Sequence, residues 1–320
     1  MNDAACRPSV FATPYACPVH KTALANLHCA HCDRSYPAVR GIPILLHHSN
    51  SVFREADYLP QQGNSSGYDG ASGYAGSLDH TSGLRRLYRR AMMRLMDAEP
   101  PRRDFGLADA LAAILREQPQ ARILVIGAGE RTVAGDAVYT DVAFGKHVSC
   151  IADAHDLPFE AHSFDACVAC AVLEHVLDPY RCVEEMRRVL RPGGFVYAET
   201  PFMQPVHMRQ YDFTRFTHLG HRRLFRHFAE LRSGPTAGTG VSAGQMLRYA
   251  LAALSDRPGA RRWLKLAGLM ATWPLRWLDY LVHTNRSNYD AASGFYFFGR
   301  LQDVPLSDQE LLRGFRGSVC

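Results

Sequence analysis

Short apolar runs alternate with polar or helical stretches across the middle of this chain, and this alternation limits the fold more than any other feature. Apolar strands joined by helical crossovers form a mainly parallel sheet that is covered on both faces. The sequence therefore predicts an α/β fold: a Rossmann-like, doubly wound, mainly parallel seven-stranded sheet. The predicted strands are residues 121–126, 137–141, 148–153, 164–171 and 194–199, followed by two closing strands at 228–233 and 294–301.

Composition divides the chain into three parts. Residues 1–55 hold clustered cysteines and predict a small β-rich module, with a strand, a turn at Gly41 and a second strand near its end. Residues 56–83 are rich in Gly and Ser, which is typical of a flexible linker. Residues 84–320 form the α/β domain, which starts with a basic helix and carries a helical insertion at about 235–292.

Two neighbouring strands of the predicted sheet end in residues that suit a nucleotide-like ligand. The first strand runs into Gly127-Ala128-Gly129, where the glycines allow a sharp turn and a close approach of ligand to backbone. The second strand ends in Asp141, whose carboxylate can accept both hydroxyl hydrogens of a ribose. Because ligands of open parallel sheets bind beyond the carboxyl ends of the strands, we expect a cofactor site there.

Four sequence blocks follow one another between about residues 120 and 200: ILVIGAG, ADAHDLPF with SFDACVA, AVLEHV, and RRVLRPGG. With these blocks the chain resembles the class I S-adenosylmethionine-dependent methyltransferases, particularly the group called type 11. The resemblance implies a methyl-transfer enzyme that uses S-adenosylmethionine as its cofactor. By position it assigns cofactor contacts to Gly127, Ala128 and Gly129 at the methionine end, Asp141 at the ribose, Asp153 and Ala154 at the adenine, and Cys170 beside the adenine or the sulfonium.

The chain departs from the usual pattern of this family at two positions. Val125 stands where an acid usually precedes the glycine turn, and Arg131 stands where a further glycine is common. The helix between the second and third strands is reduced to little more than AFGKH. A binding protein with a degenerate cofactor pocket is therefore an alternative, because a fold does not guarantee its function.

The segment after the fifth strand combines titratable side chains with aromatic residues at the edge where an acceptor would arrive. We interpret His207, Tyr211 and Asp212 as candidate catalytic residues, with His207 as a possible general base. The alternative is a loop packed by its aromatic residues, in which Asp212 forms an ion pair with Arg215. His175, at the start of the helix after the fourth strand, could contact ligand or simply pack.

Two ligand pairs near the N-terminus predict a structural zinc site. Cys17 and His20 form one pair, Cys29 and Cys32 form the other, and each has two intervening residues. Such pairs place ligands on two tight turns that can close one tetrahedral zinc ion. Around these pairs the chain resembles the small zinc-ribbon subunit that activates tRNA and protein methyltransferases, with His20 in place of the more usual second cysteine.

Residues 241–283 predict amphipathic helices that carry three tryptophans beside basic side chains. We expect a lid packed on its own domain, since tryptophans at helical spacing are usually core residues. A peripheral membrane contact, or a cover over a lipophilic acceptor, is the alternative. The tryptophans are Trp263, Trp273 and Trp277.

Charge and cysteine content leave several partners open. The net charge of +5 is mild, so it allows RNA without favouring it. An odd total of nine cysteines without a secretory leader predicts a reducing, cytoplasmic setting, with a location peripheral to the membrane as the alternative. We expect methyl transfer to a small molecule, glycan or lipid-linked metabolite, with an RNA methyltransferase as the alternative. The sequence does not indicate an oligomeric state.

Overall fold

The computed structural model describes residues 15–50, 52–59 and 104–318. The predicted basic helix after residue 84 and most of the predicted linker lie outside these ranges. Residues 56–59, which the sequence assigns to the linker, are described and include Tyr58, which is buried. Tyr58 donates a hydrogen bond to the carbonyl oxygen of Val142 at 2.8 Å, so this stretch packs on the domain.

Short antiparallel strand pairs form the N-terminal module. The chain passes through tight turns in which Asn26, Leu27 and Asp33 take positive φ angles, so no strand exceeds two residues. β1 pairs with β2 and β3 pairs with β4, both antiparallel. These strands are β1 His28–Cys29, β2 Arg34–Ser35, β3 Ala38–Val39 and β4 Ile42–Pro43.

A seven-stranded sheet forms the centre of the domain. Its strands, in chain order, are β5 Arg122–Ile126, β6 Asp136–Asp141, β7 Cys150–Ile151, β8 Phe164–Cys170, β9 Leu190–Pro201, β10 Phe228–Ala237 and β11 Gly294–Leu301. Across the sheet the order is β10-β11-β9-β8-β5-β6-β7. Only β11 runs antiparallel to its neighbours, β9 and β10. The predicted fold class is confirmed.

Helices bury apolar faces against the sheet. The first two are α1 Leu107–Glu117 and α2 Pro179–Val189. α2 begins where the Asp178 side chain accepts the N–H of Arg181 at 3.0 Å, with proline at its first position, a favoured helix start. Its buried side chains include Cys182, Val183 and Met186. Two short helices follow, α3 His218–Leu224 and, after β11, α8 Asp308–Arg313; α3 packs against β11 and against α8.

The N-terminal module is joined to the edge of the sheet by backbone pairing. Ile44 forms a parallel bridge with Ile151 of β7, and the Leu45 N–H donates to the Ile151 carbonyl at 2.9 Å. On the other side of the module, the Ala16 N–H donates a hydrogen bond to the Pro158 carbonyl oxygen at 2.8 Å. Residues 44–46 thus lie beside the last strand of the sheet, which covers an edge that would otherwise expose unpaired groups.

A partly buried ionic cluster centred on Glu185 of α2 reinforces this attachment. Its carboxylate accepts hydrogen bonds from Lys21 of the module at 2.9 Å and from the backbone N–H of Leu157 at 2.8 Å. Arg188 adds two further bonds to the same carboxylate, at 2.6 and 2.9 Å. Burial alone would raise the pKa of Glu185, but the hydrogen bond from Arg188 and the charge of Lys21 lower it overall.

Glu185→Gln is expected to reduce stability in a pH-dependent way, by about 2 kcal/mol near neutrality. Because the folded-state pKa of Glu185 lies below its ordinary value, the stabilisation is complete above that ordinary value. It is lost as pH falls through the lowered folded-state pKa. Urea unfolding of both proteins across this acidic range should show two stability curves that converge. A constant gap between the curves would contradict the assignment.

A helical segment follows β10 and precedes β11. It contains α4 Thr239–Ala252, α5 Pro258–Thr272, a 3-10 turn at Trp273–Trp277, α6 Leu278–Val282 and α7 Ser287–Asp290. Its base is held by the buried Asp279 carboxylate, which accepts the N–H groups of Gly238 at 2.9 Å and Gly240 at 2.6 Å. The side chain of Asn288 also accepts the N–H of Thr239 at 2.9 Å.

The expectation that the tryptophans of this segment are core residues is wrong. Trp263 is 73% exposed and Trp277 is 50% exposed, and Leu281 beside them is 77% exposed. The helices α4 and α5 pack on each other, and the third indole, Trp273, contacts Trp277 at 6.1 Å between ring centroids. Within the described ranges, no helix has the length and apolar character that crossing a bilayer requires.

Candidate functional site

A left-handed glycine turn lies at the carboxyl end of β5. Gly127 and Gly129 have φ angles of +62° and +55°, which side chains with a Cβ rarely adopt. The Ala128 N–H donates to the Thr140 carbonyl of β6 at 3.0 Å, so the turn is anchored to the neighbouring strand. A Cβ on Gly129 would meet no atom within 4 Å. The backbone of this residue is therefore open to a ligand.

The other glycine is closely covered. A Cβ on Gly127 would come within 2.4 Å of a methyl group of Val172, which follows β8. Glycine is therefore required at this position both by the φ angle and by the neighbouring side chain. This contact also places the glycine turn against the segment that carries Glu174 and His175.

Asp141, at the end of β6, holds the glycine turn in place. Its carboxylate accepts the N–H of Gly129 at 2.8 Å and the N–H of Ala143 at 2.9 Å. Burial raises the pKa of Asp141, and these two hydrogen bonds oppose that effect. Each carboxylate oxygen can accept a second hydrogen bond. The group can therefore hold the turn and still accept the hydroxyls of a ribose.

The predicted adenine contacts lie beyond β7. Asp153 is 4% exposed, and its carboxylate accepts the Asn50 side-chain amide at 2.6 Å and the His155 N–H at 2.9 Å. Burial alone would raise the pKa of Asp153, but the hydrogen bond and charge of His155 lower it overall. Asn50 thus donates an amide hydrogen to Asp153, the interaction that an adenine amino group would make. Ala154 is buried beside it.

Residues 52–58 run along the same edge. The ring of Phe53 stacks on Tyr211 with centroids 6.3 Å apart, and Tyr58 lies edge-on to Phe144 at 6.0 Å. Cys170, the remaining predicted contact, ends β8 and is 6% exposed. The end of the N-terminal module and the first residues after it therefore contribute to the surroundings of the candidate cofactor site, which the sequence alone did not indicate.

The three predicted catalytic residues take different roles in the loop after β9. Asp212 is held by both terminal nitrogens of Arg215 and accepts the N–H of His207 at 2.7 Å. Burial alone would raise the pKa of Asp212, but Arg215 lowers it overall. The carbonyl oxygen of Tyr211 accepts from His175 at 2.7 Å. Asp212 and Tyr211 thus position the loop, whereas the His207 ring faces Glu174.

Sequence reasoning missed Glu174 and left His175 open. The His207 Nε2 atom lies 3.5 Å from a Glu174 carboxylate oxygen, and the His175 Nε2 atom lies 3.6 Å from the same oxygen. The carboxylate of Glu174 raises the pKa of His207, and burial opposes this effect. The sequence signal that could have indicated this cluster is the adjacent Glu174 and His175 in the block AVLEHV. From sequence alone, this block predicts the start of a helix instead.

The four predicted metal ligands converge in the N-terminal module. Cys17 Sγ lies 3.6 Å from the His20 Nδ1 atom and 3.9 Å from Cys32 Sγ, and Cys29 Sγ lies 3.7 Å from the same His20 nitrogen. Around a tetrahedral zinc ion, two thiolates lie about 3.8 Å apart, and a thiolate and an imidazole nitrogen about 3.6 Å apart. The donor set and its spacing therefore fit zinc.

Comparisons with known proteins agree with the geometry of the strand ends. Residues 123–198, less than half of the chain, match the family model described as "Methyltransferase domain". An uncharacterised 37.1 kDa protein of a Streptomyces fradiae transposon is 33% identical over 132 residues, covering 38% of this chain and 36% of that protein. The demethylmenaquinone methyltransferase of Clavibacter sepedonicus is 31% identical over 143 residues, covering 44% of this chain and 50% of that enzyme.

The chain spans half or less of the length of these two curated relatives. Among solved structures, it is similar to the Burkholderia thailandensis 1,6-didemethyltoxoflavin-N1-methyltransferase, which was crystallised with 1,6-didemethyltoxoflavin and S-adenosylhomocysteine. That similarity has 14% identity and a TM-score of 0.37, and it covers 68% of this chain and 88% of the other.

Proposed function

We propose that this protein is an S-adenosylmethionine-dependent methyltransferase. The observation that carries the proposal is the family match over residues 123–198, because it spans the glycine turn, Asp141 and Asp153. These residues lie at the carboxyl edge of a mainly parallel sheet, where ligands of such sheets bind. When bound, the cofactor supplies an activated methyl group on a sulfonium, so the protein's main tasks are to align an acceptor and manage one proton.

The residues of the edge divide between the parts of the cofactor. The backbone of Gly127, Ala128 and Gly129 would follow the methionine end, with Gly129 providing the open approach. Asp141 would accept the ribose hydroxyls while it continues to hold the turn. Asp153 and the N–H of Ala154 would meet the adenine once Asn50 yields or shares its hydrogen bond, with Cys170 beside the ring.

The acceptor would arrive between the segments that follow β8 and β9. His207 faces the buried Glu174 carboxylate there and is the residue best placed to deal with the acceptor proton. Asp212 and Tyr211 would act through His207 and His175, by orienting their rings. In this scheme only His207, of the three residues predicted as catalytic, contacts the reacting atoms.

We further propose a small, lipophilic or lipid-linked acceptor. The curated relative from Clavibacter is named for demethylmenaquinone. The exposed tryptophans lie in a segment that also carries Arg261, Arg262 and Lys265, and such a face suits contact with an anionic membrane surface. An RNA acceptor is the alternative, for which the mild charge of +5 provides little support.

The Cys17, His20, Cys29 and Cys32 set would hold a structural zinc ion. Four protein ligands leave no open coordination position, so this ion would fold the module and take no part in the chemistry. The module is small, and a metal would supply the stability that its short strands lack. Because the module attaches to β7 and to α2, its order would extend to the adenine side of the cofactor site.

The test is transfer of label from methyl-tritiated S-adenosylmethionine into a fractionated host extract, together with calorimetric titration of S-adenosylhomocysteine. We expect binding at micromolar concentrations and label in the lipid or small-molecule fraction. Label in RNA that falls steeply with salt would favour the RNA alternative. No binding of S-adenosylhomocysteine and no transfer to any fraction would leave the degenerate binding protein as the better description.

A further inference from the structure

The Glu174 carboxylate is buried, and the imidazoles of His175 and His207, at 3.6 and 3.5 Å, are close enough for ion pairing but make no hydrogen bond with it. Its side chain is fully buried, and neither carboxylate oxygen makes a hydrogen bond. An unpaired carboxylate in such a place costs several kcal/mol, so buried carboxylates are paired, protonated or bound to metal. The backbone carbonyl of the same residue accepts the N–H of Phe213 at 2.8 Å, which ties the His207 loop to this position.

Two imidazole nitrogens point at this carboxylate. The ligand atoms of Glu174, His175 and His207 all lie within 4.8 Å of one another. The two Nε2 atoms lie 3.6 and 3.5 Å from one carboxylate oxygen. Around a tetrahedral zinc-like ion, a carboxylate oxygen and an imidazole nitrogen lie about 3.4 Å apart. The spacing is long for hydrogen bonds and close to that of ligands around one ion.

The second nitrogen of each ring is held from outside the cluster. His175 donates from Nδ1 to the Tyr211 carbonyl at 2.7 Å. The His207 Nδ1 atom lies 3.4 Å from the Asp212 carboxylate and 3.5 Å from an Arg215 guanidinium nitrogen. The carbonyl on the outer nitrogen of His175 leaves its inner nitrogen with a free lone pair, the usual arrangement behind metal-binding histidines, and a proton on His207 Nδ1 directed at Asp212 would do the same for His207.

We propose that Glu174, His175 and His207 bind a divalent transition-metal ion with nitrogen and oxygen preference, such as Zn²⁺, Fe²⁺ or Co²⁺. This ion would occupy a different site from the structural zinc of the module. Its three protein ligands would leave coordination positions open to a further ligand, whereas the four ligands of the zinc would not. His207 is 37% exposed on its side chain, so the open positions face the side from which an acceptor would arrive. Mg²⁺ is disfavoured because it prefers oxygen ligands throughout.

The role of the ion rests on the proposed methyl transfer, whereas its binding does not. A hydroxyl or enol oxygen of the acceptor would take an open position, where the positive charge lowers its pKa and its proton leaves to water. The resulting oxyanion attacks the methyl carbon. The C–O bond forms as the C–S bond breaks, and S-adenosylhomocysteine leaves as a neutral thioether. With the ion bound, His207 would be a ligand that sets up deprotonation, whereas without the ion it would be the base proposed above.

The test is titration with Co²⁺ of full-length protein that carries about one equivalent of zinc, the amount the module would retain, followed by calorimetry and by the visible absorption of bound cobalt. We expect about one further equivalent in the wild type, without the strong bands of cobalt–thiolate binding. Glu174→Gln and His207→Gln should each bind at least tenfold more weakly, since a missing ligand removes a large part of the affinity. His162→Gln, a matched control whose ring nitrogen also meets a backbone carbonyl, should bind as the wild type does.

Two readouts keep the outcomes separate. Unfolding midpoints identify variants that fail to fold, and acetohydroxamate, an oxygen ligand, should shift the cobalt spectrum of the wild type if positions are open. No further equivalent in the wild type, or equal binding in all folded variants, would overturn the proposal. Cobalt binding without any binding of S-adenosylhomocysteine would support the metal site and contradict the proposed function. Binding of S-adenosylhomocysteine without binding of cobalt would support the proposed function and contradict the metal site.

Discussion

Cys29→Ser is expected to lower the bound zinc by about one equivalent and to reduce the unfolding midpoint by on the order of 5–10 °C. Cys29 is fully buried, and its sulfur lies 3.7 Å from the His20 ring nitrogen. Burial alone would raise the pKa of Cys29, but hydrogen bonds from the backbone of Cys32 and His31 lower it to about 6. The thiolate, which is the form that binds metal, is therefore available near neutrality. Serine cannot replace it as a soft ligand.

The loss should extend beyond the module. Cys17, Cys29 and Tyr36 belong to the same buried apolar cluster as Leu157 and Phe159 of the domain. Elemental analysis and differential scanning calorimetry check the prediction, with Cys6→Ser as the control for the cysteine-to-serine exchange. A variant that keeps its full zinc content and its wild-type midpoint would show that these four residues do not form a zinc site.

Asp141→Ala is expected to weaken S-adenosylhomocysteine binding by about 100-fold. The change removes the acceptor for two ribose hydroxyls, and a hydrogen bond to a charged group contributes about 1.5–3 kcal/mol. It also releases the Gly129 N–H, which now donates to this carboxylate at 2.8 Å, so the turn would lose its anchor. Calorimetric titration of the variant measures the loss directly.

Asp136→Ala is the matched control for this experiment. Asp136 begins β6 and Asp141 ends it, so both variants remove a carboxylate from the same strand but at opposite edges of the sheet. We expect Asp136→Ala to keep wild-type affinity. If Asp141→Ala bound S-adenosylhomocysteine as tightly as the wild type, the cofactor would not be held by the end of β6 and the site would have to be placed elsewhere.

Local patterns were enough to predict the sheet. Each of the seven predicted strands has a counterpart in the sheet. The reason is that fully buried parallel strands must be continuous apolar runs, and such runs are visible in a single sequence. The strand boundaries were predicted less accurately. β7 contains only two of the predicted residues 148–153, and β10 continues beyond the predicted end at residue 233 to Ala237.

Long-range features could not be predicted in the same way. The bridge between Ile44 and Ile151, and the hydrogen bond from Asn50 to Asp153, join residues far apart in the sequence. Neither leaves a periodic pattern. The cluster of Glu174 with His207 has the same origin, because adjacent strands bring two loops together. The burial of the tryptophans in the helical segment could not be predicted either. Helical spacing predicts that side chains share one face of a helix, but it does not indicate whether that face is covered.

The pairing of Ile44 and Leu45 with β7 joins two parts of a single polypeptide. Their association is therefore intramolecular, so it does not depend on protein concentration. Contacts too weak to hold separate proteins together would suffice here, and dilution would not separate the two parts. Every α/β domain carries its own copy of the module in a fixed one-to-one ratio, so the cell need not balance the synthesis of two chains.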